Sequence, residues 1–105
     1  MLLVTTDSLP GHDIKKALGM VQGSTIQSKH IGKDIMAGFK QLVGGELKQY
    51  SEMLQEAREI AMNRMINNAI KLDADAVISV RFATSSIMDG AAEILVYGTA
   101  VQLDK

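Results

Sequence analysis

The residues that could bind a metal ion are few in this sequence of 105 residues. The chain has no cysteine, which excludes disulfides, thiolate nucleophiles and thiolate metal sites. His12 and His30 lack the short spacing with which two histidines bind one metal from a helix, so we expect loop histidines on the surface. They could share a transition-metal ion only through the fold or across subunits. Copper(I) could also use Met20, Met36 or Met62 beside a histidine, although methionines at helical spacing are more often core residues.

Two aspartates, Asp73 and Asp75, could offer hard oxygen ligands to magnesium or calcium. A calcium loop needs more carboxylates and a spaced glutamate, which are absent here. Helix termination and turn hydrogen bonding explain the pair better. The sequence also has no P-loop, Rossmann fingerprint or nucleophile–base pattern. It therefore favours a protein that is not an enzyme, without excluding one.

Arg81 and Glu93 are the charged residues that we expect to be enclosed, because their sequence neighbours are apolar. A buried charge needs a partner, so an Arg81–Glu93 ion pair, within one chain or between subunits, is the simplest interpretation. The functional alternative is that Arg81 lines a ring pore or cleft and binds an anionic ligand. Glu93 and Tyr97 would then line the same inter-subunit cleft.

Composition restricts the class of protein and its partners. The formal net charge is −1 and no basic block is present, so we expect neither nucleic acid nor a membrane as a partner. The first residues have no basic region and only a short apolar run, which is not typical of a signal peptide. We therefore expect a cytoplasmic protein with a single domain over residues 1–105.

A long amphipathic helix, Glu46–Leu72, is the strongest local prediction. Its main apolar stripe consists of Leu47, Tyr50, Met53, Leu54, Ala57, Ile60, Ala61, Met65, Ala69 and Leu72. A second apolar row, Met62, Ile66 and Ile70, lies on another side of the helix. It predicts a contact with a further helix or another subunit, so these three residues are the candidate oligomer interface. The alternative is a helix covered on both sides within its own domain.

The remaining elements are shorter and include one ambiguous stretch. Apolar patterns and turn residues predict strands at Leu2–Thr6, Ala76–Ala83 and Ala91–Leu103, a hairpin loop at Thr84–Gly90, and a short helix at Ile31–Val43. Residues 14–21 fit either a helix or a bulged strand, because apolar residues at helical spacing are interrupted by glycine. Both faces of the last strand are largely apolar, so we expect both faces of the sheet to be covered.

The sequence resembles the YbjQ-like family, described as putative heavy-metal-binding proteins, over nearly its full length. The resemblance rests on Thr5–Gly11, Ala37–Phe39, Val43–Gly45, Tyr50, Leu54, Ala57–Arg58, Ala74–Val77, Val80–Phe82 and Tyr97–Val101. It implies a dodecin-like α+β fold, in which a small antiparallel sheet packs on one long helix. It also implies a homopentameric ring, and a strand from about Lys15 towards Ile26.

Two positions depart from the family pattern, in which glycine is usual at Asp73 and common at Ser79. Glycine suits a left-handed helix cap, and aspartate tolerates that conformation better than most other residues. We therefore predict a positive φ at Asp73.

The resemblance implies a cytoplasmic homo-oligomeric binding protein for heavy metals, although the sequence shows no such site. Two alternatives stay open. One is a small-molecule carrier or enzyme with an inter-subunit cleft, and the other is a structural or protein-interaction ring without a ligand.

Overall fold

The structure, a computed structural model, describes residues 1–28, 45–88 and 90–104. Its elements are β1 (Leu2–Leu3), β2 (Ile14–Ser28), α1 (Gly45–Lys71), β3 (Ala76–Met88) and β4 (Ala91–Leu103). The strands form one sheet in the order β1-β3-β4-β2, and α1 packs on one face of it. We call this the front face and the opposite one the back face. The predicted helix at 31–43, together with His30 and Met36, lies outside the described residues.

The long helix is confirmed, with bounds within a residue of the prediction. Ala57, Ala61, Met65 and Ala69, spaced four residues apart, are fully buried against the sheet. Three of these four residues are alanines, so the helix backbone can lie close to the strands. Met65 fills the remaining space, and burying such a side chain contributes about 1.5–3 kcal/mol.

The ambiguous stretch is a strand, as the family resemblance implied. β2 pairs antiparallel with β4 from Ile14 to Ser28, and its register shifts between Ala17 and Gly19. Gly19 has a φ of 124°, which side-chain-bearing residues rarely adopt. The helical spacing of the apolar residues therefore reflects an irregular strand, and the glycine marks the irregularity.

The hairpin between β3 and β4 is longer than predicted. Thr84–Gly90 was expected to be a loop, but β3 continues to Met88, and only residues 89–90 connect it to β4. Thr84 pairs with Ile94 and Ser85 with Glu93. The prediction was wrong because polar side chains on an exposed strand do not prevent backbone pairing, while Gly90, with a φ of 79°, suits a tight turn.

The expectation of an antiparallel sheet is corrected at β1, which runs parallel to β3, so the sheet is mixed. β1 and β2 run in the same direction at opposite edges, because both β2 and β3 are antiparallel to β4. The chain between them, residues 4–13, must therefore cross the sheet and does so on the back face. Leu9 is buried there against Ala76, Ile78 and Val101.

Apolar contacts on both faces of the sheet confirm that neither face is fully solvated. The main core lies between α1 and the front face and contains Val21, Ala57, Ala61, Met65, Ala69, Val77, Val80, Ile94, Val96 and Ala100. The chain is nonetheless elongated, with extents of 54 × 23 × 16 Å and a radius of gyration of 17.3 Å. A compact domain of this length has a radius of gyration of about 13 Å. The long strands therefore extend beyond the part of the sheet that α1 covers.

Candidate functional site

The predicted ligand-binding residues lie on the back face of β3 and β4. Along β4, Val96 and Gly98 are buried under the front core, so the alternating residues Glu93 and Tyr97 face the back. Arg81 of β3 is the direct cross-strand partner of Tyr97. The structure therefore brings Arg81 and Tyr97 together on one surface.

The Arg81 guanidinium is held by the backbone of the N-terminal segment. Its Nη1 donates hydrogen bonds to the carbonyl oxygens of Thr5, at 2.8 Å, and Val80, at 2.9 Å. Arg81 is exposed rather than enclosed. Because a guanidinium carries five N–H donors, this arginine can still bind an acceptor on the back face.

Glu93 does not meet Arg81 within the chain. It pairs across the strands with Ser85, whose Oγ donates to Glu93 Oε1 at 3.5 Å. Glu93 lies four positions before Tyr97 along β4, a distance of about 13 Å. Since Arg81 is the cross-strand partner of Tyr97, Glu93 is about as far from Arg81. The predicted Arg81–Glu93 ion pair within one chain is therefore wrong. A pair between subunits stays a prediction.

The concave feature nearest to the two predicted aspartates is a polar cleft of about 380 Å³ beyond the end of α1. It is lined by Lys15, Asp73, Asp75, Gln102, Leu103 and Asp104. The cleft combines three carboxylates with one amine, which suits small polar or zwitterionic molecules better than apolar ones. The sequence analysis missed Lys15, Gln102 and Asp104, because only the pairing of β2 with β4 brings them to the aspartates.

Structural roles account for both predicted aspartates in this cleft. Asp73 has the predicted positive φ, 65°, and its carbonyl oxygen accepts a hydrogen bond from Gln102 Nε2 at 3.1 Å. Asp75 Oδ2 accepts a hydrogen bond from the Leu103 N–H at 2.9 Å, and its own N–H donates to the Val101 carbonyl oxygen. The two residues thus end the helix and tie the start of β3 to the end of β4.

The metal candidates are dispersed in the described part of the chain. His12 is exposed in the crossing segment, where its backbone N–H donates to the Leu9 carbonyl oxygen at 2.9 Å. Met20 lies on the back face, opposite Thr99, whereas Met62 packs against the front core. Within residues 1–28, 45–88 and 90–104, no group of three or more histidine, aspartate or glutamate side chains is placed to hold a metal ion.

The candidate oligomer interface is partly open in the single chain. Met62 and Ile66 are half-buried, and Ile70 is 58% exposed.

Among the helices that the structure describes, none has the length and apolarity to cross a membrane.

The fold defines a small α+β protein, in which one helix packs on a four-stranded mixed sheet. Its solved structural neighbours include a protein of unknown function from Pediococcus pentosaceus that belongs to the DUF74 family. The two structures have a TM-score of 0.65 over 99% of this chain and 98% of the other, at 18% sequence identity. This similarity concerns the fold alone.

Sequence comparison defines the family. The YbjQ family model, described as "Putative heavy-metal-binding", matches residues 1–104. A UPF0145 protein of Methanosarcina acetivorans is 61% identical over 98% of this chain and 97% of its own length. Another, from Thermus thermophilus, is 58% identical over 99% of this chain and 91% of its own length. The chain therefore belongs to the YbjQ family, and its resemblance to that family is confirmed.

Proposed function

We propose that the protein is a cytoplasmic, non-enzymatic binding protein that assembles as a homopentameric ring and holds a heavy-metal ion between chains. The observation that carries this proposal is the amount of apolar surface left open by one chain. Met20, Ile26 and Ile70 are 72%, 62% and 58% exposed. Large side chains of this kind, on both β2 and α1, need a cover that other copies of the chain can supply.

The family description supports a metal as the ligand. Because the described residues of one chain gather no three ligands, the proposed site is shared between chains. His12 is available for it on the surface, and His30 is the second histidine of the chain. Without thiolates, such a site would favour ions that imidazole and thioether groups bind well, such as copper(I).

Metal titration of the assembled protein, read by thermal unfolding, tests the ligand. A metal that binds only the native state adds about 2.7 kcal/mol of stability when its free concentration is 100 times its Kd. We expect copper(I), zinc, nickel or cadmium to raise the Tm of the wild type, and His12→Ala with His30→Ala to remove the rise. Glu59→Ala, at an exposed helix position, is the control. A Tm unchanged by all four metals at tens of equivalents would contradict metal binding.

The assembly is tested separately, by native mass measurement of the full-length chain without metal. One chain has a mass of 11.4 kDa. The proposed ring therefore requires a native mass that is a multiple of five chain masses. A monomer in dilute solution would contradict the ring, whatever the metal titration shows.

A second candidate function is the binding of a small anion in an inter-subunit cleft that contains Arg81, Glu93 and Tyr97. The adjacency of Arg81 and Tyr97 on the back face favours it. Arg81→Gln should then abolish anion binding without changing the native mass. Loss of assembly in this variant would instead assign Arg81 a structural role.

A further inference from the structure

The two edges of the sheet differ in how their backbone groups are satisfied. On the β3 edge, the N-terminal segment provides partners only as far as Val80. The Val4 N–H donates to the Val77 carbonyl at 3.0 Å, Ser79 N–H to Thr6 at 2.9 Å, and Val80 N–H to Val4 at 3.0 Å. From Phe82 to Met88, no described residue pairs with the outer side of β3.

The opposite edge, β2, is closed by side chains from α1. Arg64 Nη1 donates to the Ser24 carbonyl oxygen at 2.7 Å, and Asn68 Nδ2 donates to the Gln22 carbonyl oxygen at 2.8 Å. These two donors lie one helical turn apart, and their acceptors lie two residues apart along the strand. The middle of β2 is therefore unavailable to another strand, in contrast to Phe82–Met88.

The open edge carries one irregularity, a register shift against β4 between Ser86 and Met88, and it is regular from Phe82 to Ser86. Isolated edges are usually protected by charged residues or proline, and Phe82–Met88 contains neither. Phe82, Ile87 and Met88 are 46%, 47% and 65% exposed. Since unpaired backbone N–H and carbonyl groups alternate along this edge, the partner that fits it is an extended strand.

We propose that Phe82–Met88 pairs antiparallel with the same segment of a second copy, across a two-fold axis at Ser85. In this register, Phe82 lies opposite Met88 of the second copy, and Thr84 opposite Ser86 of the second copy. Apolar residues meet apolar ones, small polar residues meet each other, and no like charges are opposed. An isologous contact of this kind needs only one surface, which is self-complementary.

The register also fits the rest of the edge. The incoming strand ends at its own Met88, opposite Phe82, because β3 stops there before the turn. It therefore does not collide with the N-terminal segment, whose last contacts to β3 are made at Val80 and Arg81. The contact goes beyond the proposed function, because it is distinct from the helix row and would join two rings of five chains.

A single cysteine tests this pairing, because the chain contains none of its own. Directly opposed residues of antiparallel strands have Cα atoms about 4.5–5.5 Å apart, within the range that a disulfide spans. Oxidised full-length Ser85→Cys should therefore run as a covalent dimer on a non-reducing denaturing gel. The matched control is Ala83→Cys, an exposed position on the same strand, whose two copies would be about 13 Å out of register. Equal cross-linking of both variants would overturn the proposal.

Charge substitutions give an independent measurement. Thr84→Lys with Ser86→Lys opposes like charges in the proposed register, so the native mass should halve. Thr84→Glu with Ser86→Lys opposes unlike charges and should restore it. All of these positions are exposed in the single chain, so folding should be unaffected. If the ring is absent, the wild type should contain two chains and the lysine variant one; an unchanged mass in the lysine variant would overturn the strand pairing and leave the ring untouched.

Discussion

Gly23 of β2 lies directly under the backbone of Ala61 in α1. A Cβ atom at position 23 would overlap the Ala61 carbonyl oxygen and the Met65 backbone nitrogen. Both obstacles are backbone atoms, which cannot rotate away as a side chain can. The position therefore fixes how closely the helix approaches the sheet.

The first prediction follows from this contact. Gly23→Ala should force α1 away from β2 and lower the free energy of unfolding by about 1–3 kcal/mol or more, the usual cost of overpacking. Urea unfolding followed by circular dichroism measures it. Gln22→Ala, at an exposed neighbouring position, is the control and should unfold like the wild type. A Gly23→Ala variant with wild-type stability would contradict the close approach.

The second prediction concerns the end of α1, where Asp73 has a φ of 65°. A left-handed conformation costs about 1–2 kcal/mol for most residues and little for glycine or asparagine. Asp73→Ala should therefore lower the free energy of unfolding by about 1 kcal/mol, while Asp73→Gly should be neutral or stabilising. Urea unfolding of both variants measures the difference.

Asp73→Asn separates conformation from charge at this position. It removes the carboxylate from the polar cleft but keeps a residue that tolerates positive φ. It should be as stable as the wild type. A loss equal to that of Asp73→Ala would mean that the charge of Asp73, rather than its backbone conformation, contributes the stability.

The long helix was predicted from local spacing, whereas the left-handed cap at Asp73 was predicted from the family resemblance. Glu46–Leu72 has an uninterrupted apolar period, and Asp73 follows it at a position where the family usually has glycine. The strand Ala91–Leu103 was also correct to the residue, because a long apolar run follows the turn residues Asp89 and Gly90 directly. The residue pattern is sufficient to predict the bounds of an element that is long and uninterrupted.

The features that the sequence could not predict depend on contacts between distant segments. The parallel pairing of β1 with β3, the cleft around Lys15 and the bonds from Arg64 and Asn68 to β2 join residues far apart in the chain. The positive φ of Ser79, 54°, likewise belongs to a register shift between β3 and β4. Such features need the strand order, which periodicity alone does not provide.

The third prediction concerns Arg64, whose Nη1 binds the Ser24 carbonyl oxygen at 2.7 Å. Arg64→Met keeps the aliphatic stem but removes this charge-assisted hydrogen bond. Hydrogen bonds to charged groups contribute about 1.5–3 kcal/mol to stability. We expect a smaller loss of stability here, because the bond is exposed. It also opens the β2 edge, so the variant should aggregate more readily on concentration, as measured by light scattering. Arg58→Met, exposed on the same helix, is the control. Equal behaviour of the two variants would show that Arg64 does not protect this edge.

The fourth prediction concerns the helix row of Met62, Ile66 and Ile70. Ile66→Asp places a charge in the proposed ring contact, where it would be desolvated without a partner, so the native mass should fall. Asn67→Asp adds the same charge at an exposed neighbouring position and should leave the mass unchanged. Sedimentation velocity at several concentrations measures both variants.

Because Ile66 is half-buried in one chain, Ile66→Asp could also weaken the fold itself. Ile70 separates the effect on assembly from the effect on folding more clearly. It is 58% exposed in the single chain, so a charge there destabilises the isolated chain little. Ile70→Asp should keep the wild-type circular dichroism spectrum and still lower the native mass. If Ile70→Asp and Asn67→Asp both retain the wild-type mass, the helix row is not an interface, and the apolar surface of the chain must be covered by other contacts, such as the paired edges of β3.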